Sequence, residues 1–148
     1  MRERPRLGDR GERLAVAYLK GLGYRIAATN VRLPVGRTPD GRPRFGEIDV
    51  VAYDGETLVF VEVKTRRREG LQATERAVDA HKRGRIARAA RRYRSLFGVW
   101  SDPFRFDVVA VLLPPGGRPR VRLLRGYFDG ASPGRRRPVR EDRGGPTR

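Results

Sequence analysis

The sequence predicts an α/β fold in which the elements follow the order α-β-β-β-α-β, with one short strand after them. Two segments carry apolar residues at three- and four-residue spacing, which predicts amphipathic helices. Runs rich in valine and isoleucine stand between and after them, which predicts strands. The pair Asp54-Gly55 joins two of these runs and is a strong hairpin signal. At 148 residues the chain has room for one domain with one modest core.

The first helix is predicted to begin at Asp9, a good N-cap with Glu12 three residues later, and to end before Gly23. Its apolar stripe consists of Ala15, Tyr18, Leu19 and Leu22. Tyr24–Arg32 follows as the first strand. Leu33–Arg44 holds three prolines and two glycines, so it is predicted to be a long loop.

Two β-rich runs, Gly46–Tyr53 (GEIDVVAY) and Glu56–Thr65 (ETLVFVEVKT), form the predicted hairpin around Asp54-Gly55. A two-residue turn at that pair sets the register of the two strands. It puts Tyr53 opposite Glu56, Asp49 opposite Phe60 and Glu47 opposite Glu62.

Side chains alternate along a strand, so the acidic residues of the hairpin and its lysine share one face: Glu47, Asp49, Glu62 and Lys64. Asp49 and Glu62 are then diagonal neighbours about 7–8 Å apart, a gap that suits two carboxylates converging on one cation. The opposite face is predicted to be core and carries Ile48, Val50, Ala52, Val59, Val61 and Val63.

A second helix is predicted over Ala73–Phe97, with an apolar stripe formed by Val78, Ile86, Ala89, Ala90, Tyr93 and Leu96 or Phe97. Phe104–Leu113 is predicted as a fourth strand and Val121–Arg125 as a short fifth. Glycine, proline and arginine dominate the end of the chain, and such a composition cannot bury a core. The predicted organisation is a flexible lead-in at 1–8, a folded domain at 9–130 and a basic, disordered tail at 131–148.

The chain is strongly basic, with 34 Lys and Arg against 17 Asp and Glu and a formal net charge of +17. This excess predicts a polyanionic partner, because each neutralised phosphate releases counterions. A compositional bias toward arginine is the alternative, and composition does not separate the two. The residues predicted to contact nucleic acid are Arg66, Arg67, Arg68, Lys82, Arg83, Arg85, Arg88 and Arg92.

Residue usage excludes several kinds of chemistry. There is no cysteine and His81 is the single histidine, which leaves no thiolate catalysis, no Cys-ligated zinc and no His-based metal site. No apolar run approaches the ~20 residues of a membrane span, and no signal peptide is visible. We therefore expect a cytoplasmic protein with no membrane partner, whose catalysis would come from carboxylates, lysine and a hard metal ion.

The acidic face of the hairpin also carries apolar residues, so another element is expected to cover it. Carboxylates under such a cover repel one another unless a cation compensates, and Mg²⁺ or Mn²⁺ suits oxygen ligands. Lys64 beside them would steady negative charge on a phosphate. Glu12 lies on the inward stripe of the first helix and is expected to join them. Two plainer alternatives remain open: a surface ion pair between Glu62 and Lys64, and a capping box completed by Glu12.

Gly46-Glu47-Ile48-Asp49 followed by Phe60-Val61-Glu62-Val63-Lys64 resembles the Asp…Glu-x-Lys core of restriction-endonuclease-like nucleases. More closely, the chain resembles the YraN-like family of small bacterial proteins, related to archaeal Holliday-junction resolvases. The remaining matching residues are Gly11-Glu12, Gly23-Tyr24, Asn30, Lys82 and Arg105-Phe106-Asp107-Val108. The resemblance implies a restriction-endonuclease-like core with a mixed sheet flanked by helices, metal-dependent phosphodiester hydrolysis, and a site built from Glu12, Asp49, Glu62 and Lys64. The pattern's proline before Asp49 is Ile48 here, and the segment 33–44 is longer than usual.

The leading hypothesis is a Mg²⁺- or Mn²⁺-dependent DNA endonuclease that recognises structure, such as branched DNA in repair or recombination. DNA is favoured over RNA, no sequence-reading motif is visible, and a homodimer is left open. The competing hypothesis is a non-catalytic nucleic-acid-binding protein that retains the fold. A domain that binds another protein through its arginine-rich helix is a third.

Overall fold

A computed structural model of the chain describes residues 6–68, 73–128 and 140–142. One six-stranded mixed sheet, in the order β1-β2-β3-β4-β5-β6, carries a helix on each face. β3 and β4 are parallel, and every other neighbouring pair is antiparallel. The predicted α/β order is confirmed by the elements α1 (Leu7–Gly21), β1 (Arg25–Arg37), β2 (Pro43–Asp54), β3 (Thr57–Arg66), α2 (Ala73–Leu96), β4 (Phe104–Leu112), β5 (Arg120–Phe128) and β6 (Arg140–Asp142).

The first helix begins earlier than predicted. Its N-cap is Arg6, whose side chain makes no capping hydrogen bond, so the prediction that Asp9 is the N-cap was wrong. Asp9 lies instead in the first turn, where a carboxylate stabilises the positive end of the helix dipole. Glu12 is consequently too far along the helix for a capping box. The helix ends as predicted, with Gly23 at a φ of 91° and the amide of Tyr24 donating to the carbonyl of Leu19 at 3.0 Å.

The segment predicted as a long loop is mostly β-structure. β1 continues to Arg37 and β2 begins at Pro43, with a tight turn in which the amide of Thr38 donates to the carbonyl of Arg42 at 2.8 Å. Prolines are tolerated here because β1 is an edge strand of the sheet. A register shift between Pro34 and Gly36 accommodates the first of them.

The turn between β2 and β3 is displaced by one residue from its predicted position. Asp54 pairs with Thr57, so Gly55 and Glu56 are the central residues and the predicted register was wrong by two. Gly55 has a φ of 59°, which glycine adopts without strain and aspartate does not. A shift of two preserves the face on which each side chain lies, and it moves Asp49 toward the position directly opposite Glu62.

The alternation of side chains reverses where β1 meets β2 at Asn30 and Asp49. Val50 packs under α1, whereas Val51 packs under α2 together with Ile48. The prediction that Ile48 and Val50 share one face was therefore wrong. Asn30 has a φ of 51°, a left-handed conformation that breaks the pleat beside Asp49.

The second helix buries its predicted stripe only in part. Ile86, Ala89, Ala90 and Tyr93 are buried, and Phe60 and Phe106 are the largest side chains beneath them. The prediction failed for Leu96 and Phe97, which are 55% and 61% exposed at the end of the helix. The side chain of Val78 lies outside the described part of the structure. No helix within the described residues is long and apolar enough to cross a membrane.

β5 is longer than predicted, and a sixth strand pairs with it. Arg140–Asp142 falls in the segment predicted to be disordered, yet Leu124 pairs with Glu141. The remaining residues of that predicted tail, and of the lead-in up to residue 5, lie outside the described residues.

An ionic network below α1 joins β2, β4 and β5 to Tyr24, the residue before β1. Asp107 is fully buried and accepts hydrogen bonds from Arg105 Nε and the amide of Gly126, both at 2.9 Å. Arg105 also binds Asp54 at 2.7 Å, while the hydroxyl of Tyr24 donates to Asp107 at 3.4 Å. Burial and the charge of Asp107 raise the pKa of Tyr24 to about 12. The network explains the Arg105–Asp107 pattern as a structural requirement.

Candidate active site at the end of the β2–β3 hairpin

The paired region of β2 and β3 ends at Val50 and Val61, and the candidate site begins at this point. Beyond it, the carboxylate of Asp49 accepts a hydrogen bond from the amide of Val63 at 2.8 Å. A side chain therefore takes the acceptor position that a backbone carbonyl holds elsewhere in the ladder. This bond fixes Asp49 at the junction of the two strands.

Glu62 is a buried carboxylate, 4% exposed, in the interior of β3. Lys82 of α2 lies over it, with Nζ 3.0 Å from Oε1. The ammonium group neutralises the charge, yet its angles do not make a hydrogen bond, so Oε1 keeps an unused acceptor position. Glu62 is thus no surface residue, and the alternative of a surface pair with Lys64 is excluded.

Glu12 approaches the same point from α1 because the helix packs very closely on β3. A Cβ at Gly11 would coincide with Oγ1 of Thr65, so only glycine permits this approach. Glu12, the next residue, is half-buried beside Asp49. A similar contact holds α2, since a Cβ at Gly46 would lie 3.0 Å from Cβ of Ala89.

The electrostatics of Asp49 show that these carboxylates interact. The pKa of Asp49 is raised to about 6, chiefly by burial and to a smaller extent by the negative charges of Glu12 and Glu62. The hydrogen bond from Val63 and the charge of Lys82 act in the opposite direction. Asp49 is therefore the central member of an acidic group, and one further carboxylate approaches it from each face of the sheet.

Lys64 stands two residues after Glu62 on β3, so both side chains lie on the α2 face. Its ammonium nitrogen is 5.7 Å from the ring centroid of Tyr127. Of the four predicted catalytic residues, Glu12 and Glu62 thus lie near enough to Asp49 for their charges to act on it, and Lys64 lies beside Glu62 toward β5. Glu47 was predicted to share their face. It is exposed, and it precedes Asp49, where the alternation of side chains along β2 reverses.

The donor set of the site is made of carboxylate oxygens, which hard cations prefer. Within the described residues, no three acidic or histidine side chains already stand at metal-binding spacing. Mg²⁺ commonly uses one or two protein carboxylates and keeps several waters. The Oε1 atom of Glu62, which accepts no well-aligned hydrogen bond, and the buried carboxylate of Asp49 therefore fit one such ion.

The cations predicted to bind nucleic acid differ in their surroundings. The guanidinium of Arg83 lies 4.6 Å from the ring centroid of Tyr127, and Arg66 donates to the carbonyl of Thr65 at 3.1 Å. Lys82 contacts Glu62, a position that the sequence pattern did not predict. The remaining members of the predicted set are exposed: Arg67, Arg68, Arg85, Arg88 and Arg92.

A cleft of about 560 Å³ opens between α1 and the first two strands, and we call it the α1 cleft. The residues that matter below are Glu12, Arg13, Val16, Ala17, Lys20 and Asp49, all of which line it. The cleft was not predicted from the sequence. The sequence feature that indicates it is the three- and four-residue spacing of the α1 residues in this list. That spacing places them on one face of the helix, beside its buried stripe.

Comparisons with known proteins identify the family. The model described as "Uncharacterised protein family UPF0102" matches residues 11–111, from α1 into β4. The UPF0102 protein STH1475 of Symbiobacterium thermophilum is 46% identical over 123 residues, which are 83% of this chain and 96% of that protein. GSU0650 of Geobacter sulfurreducens is 42% identical over 83% of this chain and 88% of its own length. The crystal structure of SSO0001 matches with a TM-score of 0.36 and 18% identity, over 81% of this chain and 50% of that one. The YraN-like resemblance is thereby confirmed, and the chain belongs to the UPF0102 family.

Proposed function

We propose that this protein is a metal-dependent DNA endonuclease whose site is formed by Glu12, Asp49, Glu62 and Lys64. The observation that carries the proposal is the placement of three carboxylates: Asp49 is held at the strand junction by the amide of Val63, Glu12 lines the same cleft, and Glu62 is buried in the adjacent strand. Such a group is unfavourable for stability, and a bound cation removes the repulsion. The net charge of +17 supports a phosphate-bearing substrate.

Each residue has a role that follows from its position. Asp49 and Glu62 would hold Mg²⁺ or Mn²⁺, with Glu12 completing the set from α1. The ion supplies Lewis-acid activation of a water molecule and neutralises charge on the scissile phosphate. Lys64 contributes a positive charge beside Glu62, where it stabilises the developing negative charge of the phosphate.

A second candidate is a nucleic-acid-binding protein without catalysis. The ion pair between Lys82 and Glu62 favours it, because an ammonium group already compensates the carboxylate that a metal ion would use. In the endonuclease, Lys82 would instead turn outward when the ion binds. Its side chain is 51% exposed, which leaves room for that movement.

The deciding experiment is cleavage of branched, single-stranded and duplex DNA with Mg²⁺ or Mn²⁺, with and without chelator. The endonuclease proposal expects chelator-sensitive cleavage that Glu62→Ala abolishes. Glu56→Ala is the matched control, since Glu56 is an exposed residue of the β2–β3 turn and should cleave like the wild type. Cleavage by Glu62→Ala at the wild-type rate would contradict the proposal and leave the binding function.

A further inference from the structure

The α1 cleft extends from the acidic site along one helix. Asp9, Glu12 and Asp49 form its acidic end, and Lys20 stands two turns beyond Glu12, roughly 12 Å by the helical rise. Between Glu12 and Lys20 the wall is apolar, formed by Val16 and Ala17. The cleft therefore offers, in order, a group of carboxylates, an apolar wall and a cation.

The two cations of this cleft are available to an anion. Arg13 and Lys20 are both exposed, and neither forms an ion pair with any residue that the structure describes. On α2, in contrast, two cations are engaged, since the guanidinium of Arg94 lies 3.8 Å from the ring centroid of Phe104 and Lys82 contacts Glu62. Binding a phosphate at the α1 cleft thus breaks no ion pair of these two cations with another described residue.

The size of the cleft limits what can enter. Its volume of about 560 Å³ is that of a site for a small ligand or a short stretch of chain. A DNA duplex is recognised differently, because a helix or β-ribbon that protrudes from the protein enters the groove of the DNA. A single strand, in contrast, combines phosphates for cations with bases and sugars for an apolar wall.

We propose, building on the endonuclease function above, that the α1 cleft binds an unpaired DNA strand and leads it to Asp49. Arg13 and Lys20 contact its phosphates, and Val16 and Ala17 pack against a base or sugar. The substrate class is accordingly DNA with a single-stranded segment, such as a flap or an open branch, and intact duplex is a poor occupant of this cleft.

The test measures binding of a fluorescent single-stranded oligothymidylate without metal, across a range of salt concentrations. Lys20→Gln and Arg13→Gln should each lower the slope of log affinity against log salt by about 0.7, the value for one lost phosphate contact on a single strand. Arg118→Gln makes the same charge change at an exposed position between β4 and β5 and should leave the slope unchanged.

A second variant fills the cleft without changing charge. Ala17 is exposed on α1, so Ala17→Phe should fold normally and place a ring where the strand would lie. It should weaken the single strand about tenfold, as for loss of one stacked or packed base, and leave duplex affinity unchanged. Circular dichroism confirms the fold of each variant.

Three results would overturn the inference: slopes of Arg13→Gln and Lys20→Gln equal to that of Arg118→Gln, wild-type affinity in Ala17→Phe, or equal competition by duplex. These outcomes are separable from those of the endonuclease proposal, because no metal or cleavage is involved. If the protein binds the strand in the cleft without cleaving it, only the endonuclease proposal is contradicted. If the protein cleaves DNA while all cleft variants behave as wild type, only the cleft proposal is contradicted.

Discussion

The Nζ atom of Lys82 lies 3.0 Å from Oε1 of Glu62, so the second helix supplies the counter-charge for a carboxylate buried in the third strand. Glu62 is 4% exposed, whereas the lysine side chain is 51% exposed. The carboxylate is therefore fixed and the ammonium group is the partner that can move. The stability of the acidic site depends on this asymmetry.

Removing the lysine should destabilise the protein in a metal-dependent way. We expect Lys82→Met to lower the free energy of unfolding at neutral pH by about 1–3 kcal/mol, because the buried carboxylate loses its counter-charge. Excess MgCl₂ should restore part of the loss. Urea unfolding measures both, and Lys20→Met, which breaks no ion pair within the described part of the chain, should cost less than about 0.5 kcal/mol. An equal loss from Lys82→Met in a Glu62→Gln background would show that the ion pair is not the cause.

Asp49 should make stability depend on pH in the acidic range. Burial raises its pKa from 3.8 to about 6, so the folded state binds a proton more tightly than the unfolded state. Its contribution is greatest below pH 4 and is lost as the pH rises through 6. Asp49→Asn keeps an acceptor for the amide of Val63 and should be more stable than the wild type at pH 7, by up to about 3 kcal/mol. Unfolding curves of both proteins with the same pH slope between 4 and 6 would refute this.

The close contact of α1 with β3 should not tolerate a methyl group. Gly11→Ala forces a Cβ into the side chain of Thr65, and we expect a loss of about 1–3 kcal/mol from overpacking. Gly8→Ala is the matched control on the same helix, since nothing lies within 4 Å of a Cβ there. It should stabilise the helix by about 0.5–1 kcal/mol. Thermal unfolding compares the two, and equal melting temperatures would mean that the helix shifts freely.

The exposed arginines of α2 should give duplex binding a steep salt dependence. Affinity should fall about 10³-fold between about 50 and about 200 mM salt, because several counterions are released. Arg85→Gln and Arg88→Gln should each reduce the slope by about 0.9, the duplex value for one contact. Fluorescence anisotropy with Arg118→Gln as control measures this. A nearly flat salt dependence would indicate that the charge of the chain is a compositional bias.

The order of the elements was predictable because it depends on local periodicity. The turn at Gly55 was misplaced by one residue, since a hairpin signal does not specify which residue takes the positive φ. The strand at Arg37 was missed because the tolerance of Pro34 depends on β1 being an edge, which is a property of the whole sheet.

The site was predictable to the extent that strand alternation and helix faces determine it. The shared face of Glu62 and Lys64 follows from their spacing alone. The reversal at Asn30 and the contact of Lys82 with Glu62 depend on tertiary packing, which no local pattern contains. The inward position of Glu12 was likewise visible from the helix periodicity, whereas its close approach through the contact of Gly11 with Thr65 depends on tertiary packing.

The irregularities of β1 also bear on self-association. An edge strand presents unpaired amides and carbonyls, to which a strand from another molecule can add. In β1 the proline at 34 removes one donor, and two register shifts disturb the spacing of the others. Exposed Arg32 and Arg37 add like charges that would face each other in a symmetric pair. These features protect the sheet against the addition of further strands at β1, and therefore against aggregation along this edge. The same prolines and glycines led to the prediction of a loop in this segment.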